Sequence, residues 1–547
     1  MKKKIFRCLS VVMTGLMALS MTACGGKSTG DSGEPIDKSK KQLYVYSYNG
    51  GYGTNWLDEA KAGYEAEHSD VQIVIKRDKP LGNNVTKSFI STSKHQVFFH
   101  EGQLYYSLNA NNAIGDMTDI ITSVNPYDNK KIIDKFYDEQ KTYYNINDKY
   151  YGIPHYAGYF GLIYNIDMFK KNGWYIAEGY DTTVAEKLDD MFCDFDEPRS
   201  KGPDGLPGTD DDGLPATYEQ FYALCKQIRT TKNGIMPITW TGESRDQYVG
   251  YTYQSLVADF EGKEQFSLNF GFDGEATNLG RITDGEFVKD SAPTTIDSTN
   301  GYELARQEGR YRALQFLANY MGSLTNHDKT IATNGNDSNV DAMSRLIDGE
   351  AAMLMDGAWW ENEAVDGKCY GNKTKYDYNM GWMPLPKATA AEVGKKSTLV
   401  DHLFSLCFIR PNMSTEDYAL AKDFIQYVYS DEMMVKFTQS TGTLKALKYD
   451  GIADFSLDGL TTYSQSLINH ALKSDVVYPY STNSIFYNNQ ADFDGRVMFG
   501  SDYKGTTYKN PVSVFVDSWV DEGQKPDVNA YFNGMYTAFQ TKWNAFK

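Results

Sequence analysis

A strand, a loop, a helix and a second strand follow one another within 35 residues near the start of this chain, and that order restricts the fold sharply. Residues 43–48 (LYVYSY) read as a strand and Asn49-Gly50-Gly51-Tyr52-Gly53 as a loop. Thr54 or Asn55 then caps a helix that carries Trp56, Ala60 and Tyr64 at four-residue spacing. Val71, Ile73 and Ile75 alternate as the next strand. Two parallel strands need such a crossover, so the pattern predicts a βαβ unit of a parallel sheet.

Further elements follow the same logic. Residues 96–100 form a short strand that runs directly into Glu101-Gly102. Residues 151–165 (YGIPHYAGYFGLIYN) begin as a Pro-containing crossover and end as an apolar strand. Thr217 caps a helix, with Gln220 three places on as a capping box. Residues 341–348 close a helix that Gly349 stops. A strand over 351–355 leads into Gly357-Ala358-Trp359-Trp360, and 381–386 (GWMPLP) is a second Pro-marked crossover. Residues 414–430 form an amphipathic helix whose stripe is Tyr418, Ala421, Phe424, Ile425 and Val428.

The N-terminus has the grammar of an export signal. Lys2, Lys3, Lys4 and Arg7 precede an apolar run over residues 9–21, too short to span a bilayer. It ends in Met21-Thr22-Ala23-Cys24, which is similar to a bacterial lipobox with Met in place of the usual Leu. On that reading residues 1–23 are removed, Cys24 carries lipid, and residues 24–41, rich in Gly, Ser, Lys and Asp, are a flexible tether. An ordinary signal peptide followed by a plain thiol is the other reading. Four basic residues leave with the leader, so 50 basic face 72 acidic residues, a net charge of −22. That balance excludes nucleic acid as a partner and excludes charge-driven binding to anionic lipid. Cys225 and Cys407 sit in apolar patterns and read as buried thiols, and no Cys/His metal spacing occurs.

Seven segments together carry a resemblance. They are the aromatic-Asn-Gly loop at 48–50, VFFHEGQ (97–103), YGIPHYAGYFGLIYNIDMF (151–169), PATYEQFYALCKQI (215–228), DGEAAMLMDGAWW (348–360), MGWMPLPK (380–387) and AKDFIQYVYSDEMMVKFTQSTG (421–442). In this order and spacing the chain resembles the extracellular solute-binding proteins of ABC sugar importers, in the maltose-binding-protein-like branch. The resemblance implies an α/β, two-lobe periplasmic-binding-protein-like (Venus flytrap) fold with hinge crossings at 153–158, 380–386 and 438–446. It places 42–154 with 385–440 in the N-terminal lobe. The C-terminal lobe takes 155–384 with 441–547, including an acidic insertion at 181–217. It explains least of residues 260–310 and of the tail after 445. The implied role is a lipid-anchored monomer at the outer face of the cell membrane that delivers an oligosaccharide, a maltodextrin first, to an ABC permease. Peptides and polyamines are less favoured ligands.

Ligands of open parallel sheets sit beyond the carboxyl ends of the strands. Residues there are Tyr48, Asn49 and Tyr52 after the first strand, Glu101 after the third, Tyr156 and Tyr159 at the first crossover, Trp240 and Tyr248 after residues 237–239, and Trp359 and Trp360 after 351–355. Aromatic rings suit the C–H faces of sugars, and carboxylates and amides suit their hydroxyls. With 41 Tyr in the chain most such rings pack or face solvent, Trp56 reads as core, and Glu101 equally suits the start of a helix.

The acidic insertion adds a metal question. Asp210, Asp212, Gly213 and Glu219 match positions 3, 5, 6 and 12 of an EF-hand loop, but Gly208 stands at position 1. Asp204 would have to fold back to supply the missing oxygen. A structural calcium and a solvated loop both remain open, and no cofactor is required for binding. No HExxH occurs, nor any usable P-loop. The chain therefore reads as a receptor and not an enzyme; the competing readings are a surface glycoside hydrolase and a non-transport carbohydrate-binding lipoprotein.

Overall fold

A computed structural model describes residues 35–78, 87–102, 105–231, 234–320, 334–452, 455–479, 481–489, 500–503, 506–509, 514–515 and 525–546. The leader, Cys24 and the tether up to residue 34 lie outside the described residues. In chain order the elements that frame the site begin with β1 (Lys41–Tyr48), α1 (Asn55–Glu67), β2 (Val71–Asp78), β3 (Val97–His100), β4 (Ile153–Pro154), β5 (Phe160–Asn165), α2 (Tyr218–Thr230), β6 (Met236–Thr239) and α3 (Arg245–Gly271). They continue with α4 (Asn339–Ile347), β7 (Ala351–Gly357), α5 (Trp360–Asp366), β8 (Met380–Met383), β9 (Thr398–Val400), β10 (Leu406–Ile409), α6 (Thr415–Val428), α7 (Asp431–Thr441), α8 (Thr462–Lys473) and β11 (Asp475–Val477).

Two sheets organise two lobes. The first runs β2-β1-β3-β10-β4. Its β1 pairs in parallel with both β2 (Leu43↔Ile73, Val45↔Ile75) and β3 (Val45↔Val97), as the βαβ pattern requires. Strand β10 returns antiparallel to β3, and Phe98 stacks on Phe408 with ring centroids 5.0 Å apart. Helix α1 buries Trp56, Leu57, Ala60 and Tyr64 against this sheet. Its cap differs from expectation: Thr54 makes no cap bond, because its hydroxyl accepts instead from Arg77 Nε at 2.8 Å.

The second sheet runs β6-β7-β5-β8. Strands β5 and β7 are buried along their whole length and pair antiparallel, while β6 lies parallel to β7. At the start of α2 the Thr217 hydroxyl accepts from Gln220 N as expected, but Gln220 Oε1 accepts from Ala216 N one residue before the cap. Cys225 and Cys407 are buried and all four described cysteines are free thiols.

The chain passes between the sheets at 155–159, between β4 and β5, and again at 401–405, between β9 and β10. The second crossing was expected at 380–386, but β8 there is an edge strand of the second sheet, and Pro384 merely ends it. Strand β9 pairs with β11 in a two-stranded sheet of its own, so the connection from the second sheet back to the first runs from the end of β8 at Met383 to the start of β10 at Leu406. A third passage follows α7. There Lys445 bridges to Tyr156, and its buried Nζ lies 2.8 Å from His155 Nδ1 and over the rings of Phe437 and Tyr429. Burial holds Lys445 well below the usual lysine range.

Residues 260–310 and the tail explain each other. Trp543 of the last helix packs edge-on to Phe272 at 4.7 Å, and Phe532 meets Tyr311 at 5.4 Å and Phe287 at 5.8 Å.

Candidate functional site, the cleft between the lobes

The turn after β1 is the first wall. Gly53 adopts φ 73°, and its N–H returns to the Gly50 carbonyl at 3.2 Å. That tight return brings the backbone of Gly50 against Glu101 and Tyr48, so that a Cβ there would push the Glu101 carboxylate aside. A Cβ on Gly51 would lie 2.5 Å from Trp359, so a glycine is what allows the N-lobe loop to meet the C-lobe ring.

Glu101 follows β3 and accepts a hydrogen bond from the Tyr156 hydroxyl at the first crossing. Burial, reinforced by the Glu101 charge, holds the Tyr156 hydroxyl well above the ordinary tyrosine range. Tyr52 meets Tyr156 edge-on at 5.0 Å, and its own hydroxyl donates to the Ala157 carbonyl at 2.9 Å. Tyr52 therefore braces the crossing. Tyr48 is desolvated in the same place, with Glu101 and then Glu363 of α5 adding to the rise in its pKa. Asn49 Oδ1 is buried without a hydrogen-bond partner among the described residues.

Trp359 stands at the end of β7 and is 6% exposed. Its ring lies 6.2 Å from Phe160, 6.4 Å from Tyr248 and 6.4 Å from Tyr251. Tyr251 in turn lies 4.4 Å from the His402 ring, whose Nε2 is 3.1 Å from Ser255 Oγ. Tyr48, Asn49, Tyr52, Glu101, Tyr156, Tyr248 and Trp359 thus come together where the two lobes meet.

Two expected residues do not, and a third, Tyr159, lies at the first crossing with its ring buried. Trp360 is fully buried and packs edge-on to Tyr463 of α8 at 5.3 Å, because α5 starts there and turns the ring inward. Trp240 is fully buried beyond β6, and its carbonyl accepts from Arg345 of α4. Tyr159 is 2% exposed; its carbonyl accepts from Ala358 N, and its hydroxyl lies in the buried neighbourhood of Tyr137, Asp401 and Tyr52. Tyr251 and Phe160 were not anticipated. Tyr251 had a legible signal, three residues beyond Tyr248 on one helix face.

The acidic loop does not gather its four expected ligands. Asp204 Oδ1 accepts from Leu206 N, Asp212 Oδ2 from Gly208 N, and Asp210 Oδ2 from Asn469 of α8. Glu219 is exposed in the first turn of α2. Asp211 takes the central place, accepting from Asp204 N and the Thr209 hydroxyl, and burial first, then Asp204, push its carboxyl up to about 6. Among the described residues no three His, Cys, Asp or Glu side chains converge as a metal site requires.

The sequence pattern of the family described as bacterial extracellular solute-binding protein matches residues 59–448. This chain belongs to that family. Its members are binding proteins and not enzymes. A search of curated protein sequences returned no match. Among solved structures this solute-binding protein is similar to apo RafE from Streptococcus pneumoniae, at 15% identity over 92% of this chain and 99% of that one, with a TM-score of 0.53. It is similar to a chitin oligosaccharide binding protein at 15% identity over 93% and 100%, TM-score 0.55. It is also similar to the GacH receptor of Streptomyces glaucescens at 12% identity over 93% and 98%, TM-score 0.54. At such identities the likeness is one of fold, and the fold is the two-lobed α/β one.

Proposed function

We propose that this solute-binding protein is the lipid-anchored, extracytoplasmic receptor of an ABC importer and that it captures an oligosaccharide, a maltodextrin first, between its lobes. The observation that carries the reading is the pairing across the cleft of Trp359 from the C lobe with Gly51 and the Glu101–Tyr156 pair from the N lobe and first crossing. Indole and tyrosine faces suit the apolar side of a pyranose, and the Glu101 carboxylate accepts from its hydroxyls. Each stack that removes roughly 100 Å² of apolar surface from water contributes about 2.5 kcal/mol. A few stacks and hydrogen bonds, less the cost of ordering, reach about −8 kcal/mol, which is micromolar affinity. Lobe closure then presents one shape to the permease, and ATP is hydrolysed by partner subunits. The fold neighbours described with raffinose and with acarbose favour carbohydrate over peptide or polyamine.

Calorimetry against a glycan panel of malto-, xylo- and manno-oligosaccharides tests the reading. A bound glycan is released intact, and Trp359→Ala weakens it at least roughly tenfold with the fold retained. Unchanged affinity in that variant removes Trp359 from the site, and no binding to any glycan rejects the carbohydrate class. Metabolic labelling with a fatty acid, lost in Cys24→Ala, tests the anchor.

A further inference from the structure

The segment 401–405 is the crossing that the sequence did not reveal, and its backbone is tied to both lobes. Asp401 N–H donates to Val477 of β11, on the C-lobe side, at 3.0 Å. The Leu403 carbonyl accepts from Gly102 N, in the loop that carries Glu101, at 2.9 Å. His155 N–H donates to the Ser405 carbonyl at 3.0 Å, and the Ser405 hydroxyl donates to the His100 carbonyl at 3.2 Å.

One carboxylate sits at the centre of these ties. Asp401 Oδ1 accepts from Gly158 N at 3.0 Å and from Leu403 N at 3.1 Å. Gly158 belongs to the first crossing, and its carbonyl accepts from His402 N at 2.9 Å. Gly158 is thus held on both sides by the second crossing, and a Cβ there would collide with Leu403. The Leu403 peptide is fixed at its N–H by Asp401 and at its carbonyl by the Glu101 loop. Asp401 is fully buried, and the backbone N–H groups of Gly158, Leu403 and Phe404 all stabilise its carboxylate. The hydroxyls of Tyr52, Tyr159 and Tyr478 feel its charge, and among the described residues no Lys, Arg or His forms an ion pair with it. A desolvated carboxyl with no counter-charge is costly to keep, so its retention here calls for backbone work that a neutral apolar residue could not do.

We propose that Asp401 is a positioning residue of the hinge: it locks the first and second crossings to each other through Gly158 and Leu403, and through the Leu403 carbonyl it sets the loop that presents Glu101 to the ligand. The inference rests on the proposed role of Glu101 only in this last link; the lock itself does not depend on which solute is bound. Burial pushes the carboxyl up to about 6, so it is ionised, and the stronger acceptor, at neutral pH.

Hydrogen exchange by mass spectrometry on the full chain, without ligand, reads the lock directly. Asp401→Ala speeds exchange at Gly158 and Gly102 about tenfold or more, with regions away from the hinge unchanged, and Asp401→Asn, which keeps one acceptor oxygen, restores protection. In parallel, Asp401→Ala weakens binding of maltotriose, or of whichever panel glycan the wild type holds, and Asn recovers it. Unchanged exchange at both glycines in a folded alanine variant overturns the assignment, as does an asparagine variant as unprotected as alanine. If alanine does not fold, asparagine decides alone: protected glycines support the lock and exposed ones overturn it. A wild type that binds no glycan counts against the carbohydrate reading and leaves the exchange result to judge the hinge.

Discussion

Trp359 and Trp360 adjoin in the chain, yet the start of α5 sends one ring toward Gly51 and the other against Tyr463. The second is a core residue, so Trp360→Ala costs about 3–5 kcal/mol of stability. Urea unfolding measures that loss, and the folded variant keeps its glycan affinity; weakened binding at full stability would return Trp360 to the cleft. A buried carboxyl supplies a pH test at the same scale. Glu261 lies beside the kink of α3 at Gly262 and accepts from Gly309 N at 2.7 Å and Asn278 Nδ2 at 3.2 Å. Burial raises it from 4.5 to about 7, despite these bonds and the nearby Arg310. The folded state then holds the proton more tightly than the unfolded chain. Its contribution is complete below pH 4.5 and is lost as pH rises to 7, about 3 kcal/mol over that window. Relative to Glu261→Gln, the wild type therefore loses stability between pH 4.5 and 7, and a constant difference between the two would refute the raised value.

At the scale of elements, the turn after β1 makes its own prediction. Gly51 has no positive φ, so alanine fits the backbone, but its Cβ meets Trp359. Overpacking costs about 1–3 kcal/mol. That cost falls only on the form in which the lobes touch, so Gly51→Ala weakens glycan binding roughly tenfold while its melting temperature stays near wild type. A melting temperature that falls with affinity unchanged would instead make the glycine a packing residue. The elements around this turn were legible because they are periodic. Alternation wrote β2, four-residue spacing wrote α1, and Gly-x-Trp marked the end of β7. The crossings were less so. The sequence 381–386 has Pro and looked like a hinge, but it extends an edge strand, where Pro is tolerated. The segment Asp401-His402-Leu403-Phe404-Ser405 has no Gly or Pro and no periodicity to mark it as a crossing. Trp240 failed differently: it follows a strand as a ligand residue should, but nothing local says that the chain then turns it into the core.

For the whole molecule, the question is whether the long tail belongs to the receptor function or to its frame. The helix Val528–Phe546 lies on residues that no short-range pattern connects to it. Trp543 is fully buried against Phe272 and Gly301 and donates from Nε1 to the Ser298 carbonyl at 3.2 Å. Tyr311 donates to Asn529 Oδ1 at 2.9 Å, and Tyr536 donates to Glu303 at 3.0 Å. These contacts join the tail to 272–311, which overlaps the 260–310 stretch that the family resemblance explained least. None of them involves the cleft residues. The tail therefore acts as a brace that covers apolar surface of the C lobe. Trp543→Ala should lower stability by about 3–5 kcal/mol and leave the affinity of the folded protein within twofold of wild type. Guanidinium unfolding with calorimetry on the same sample checks both parts. An affinity that falls with stability intact would place the tail in the cleft's closing motion, and the brace would be the wrong description.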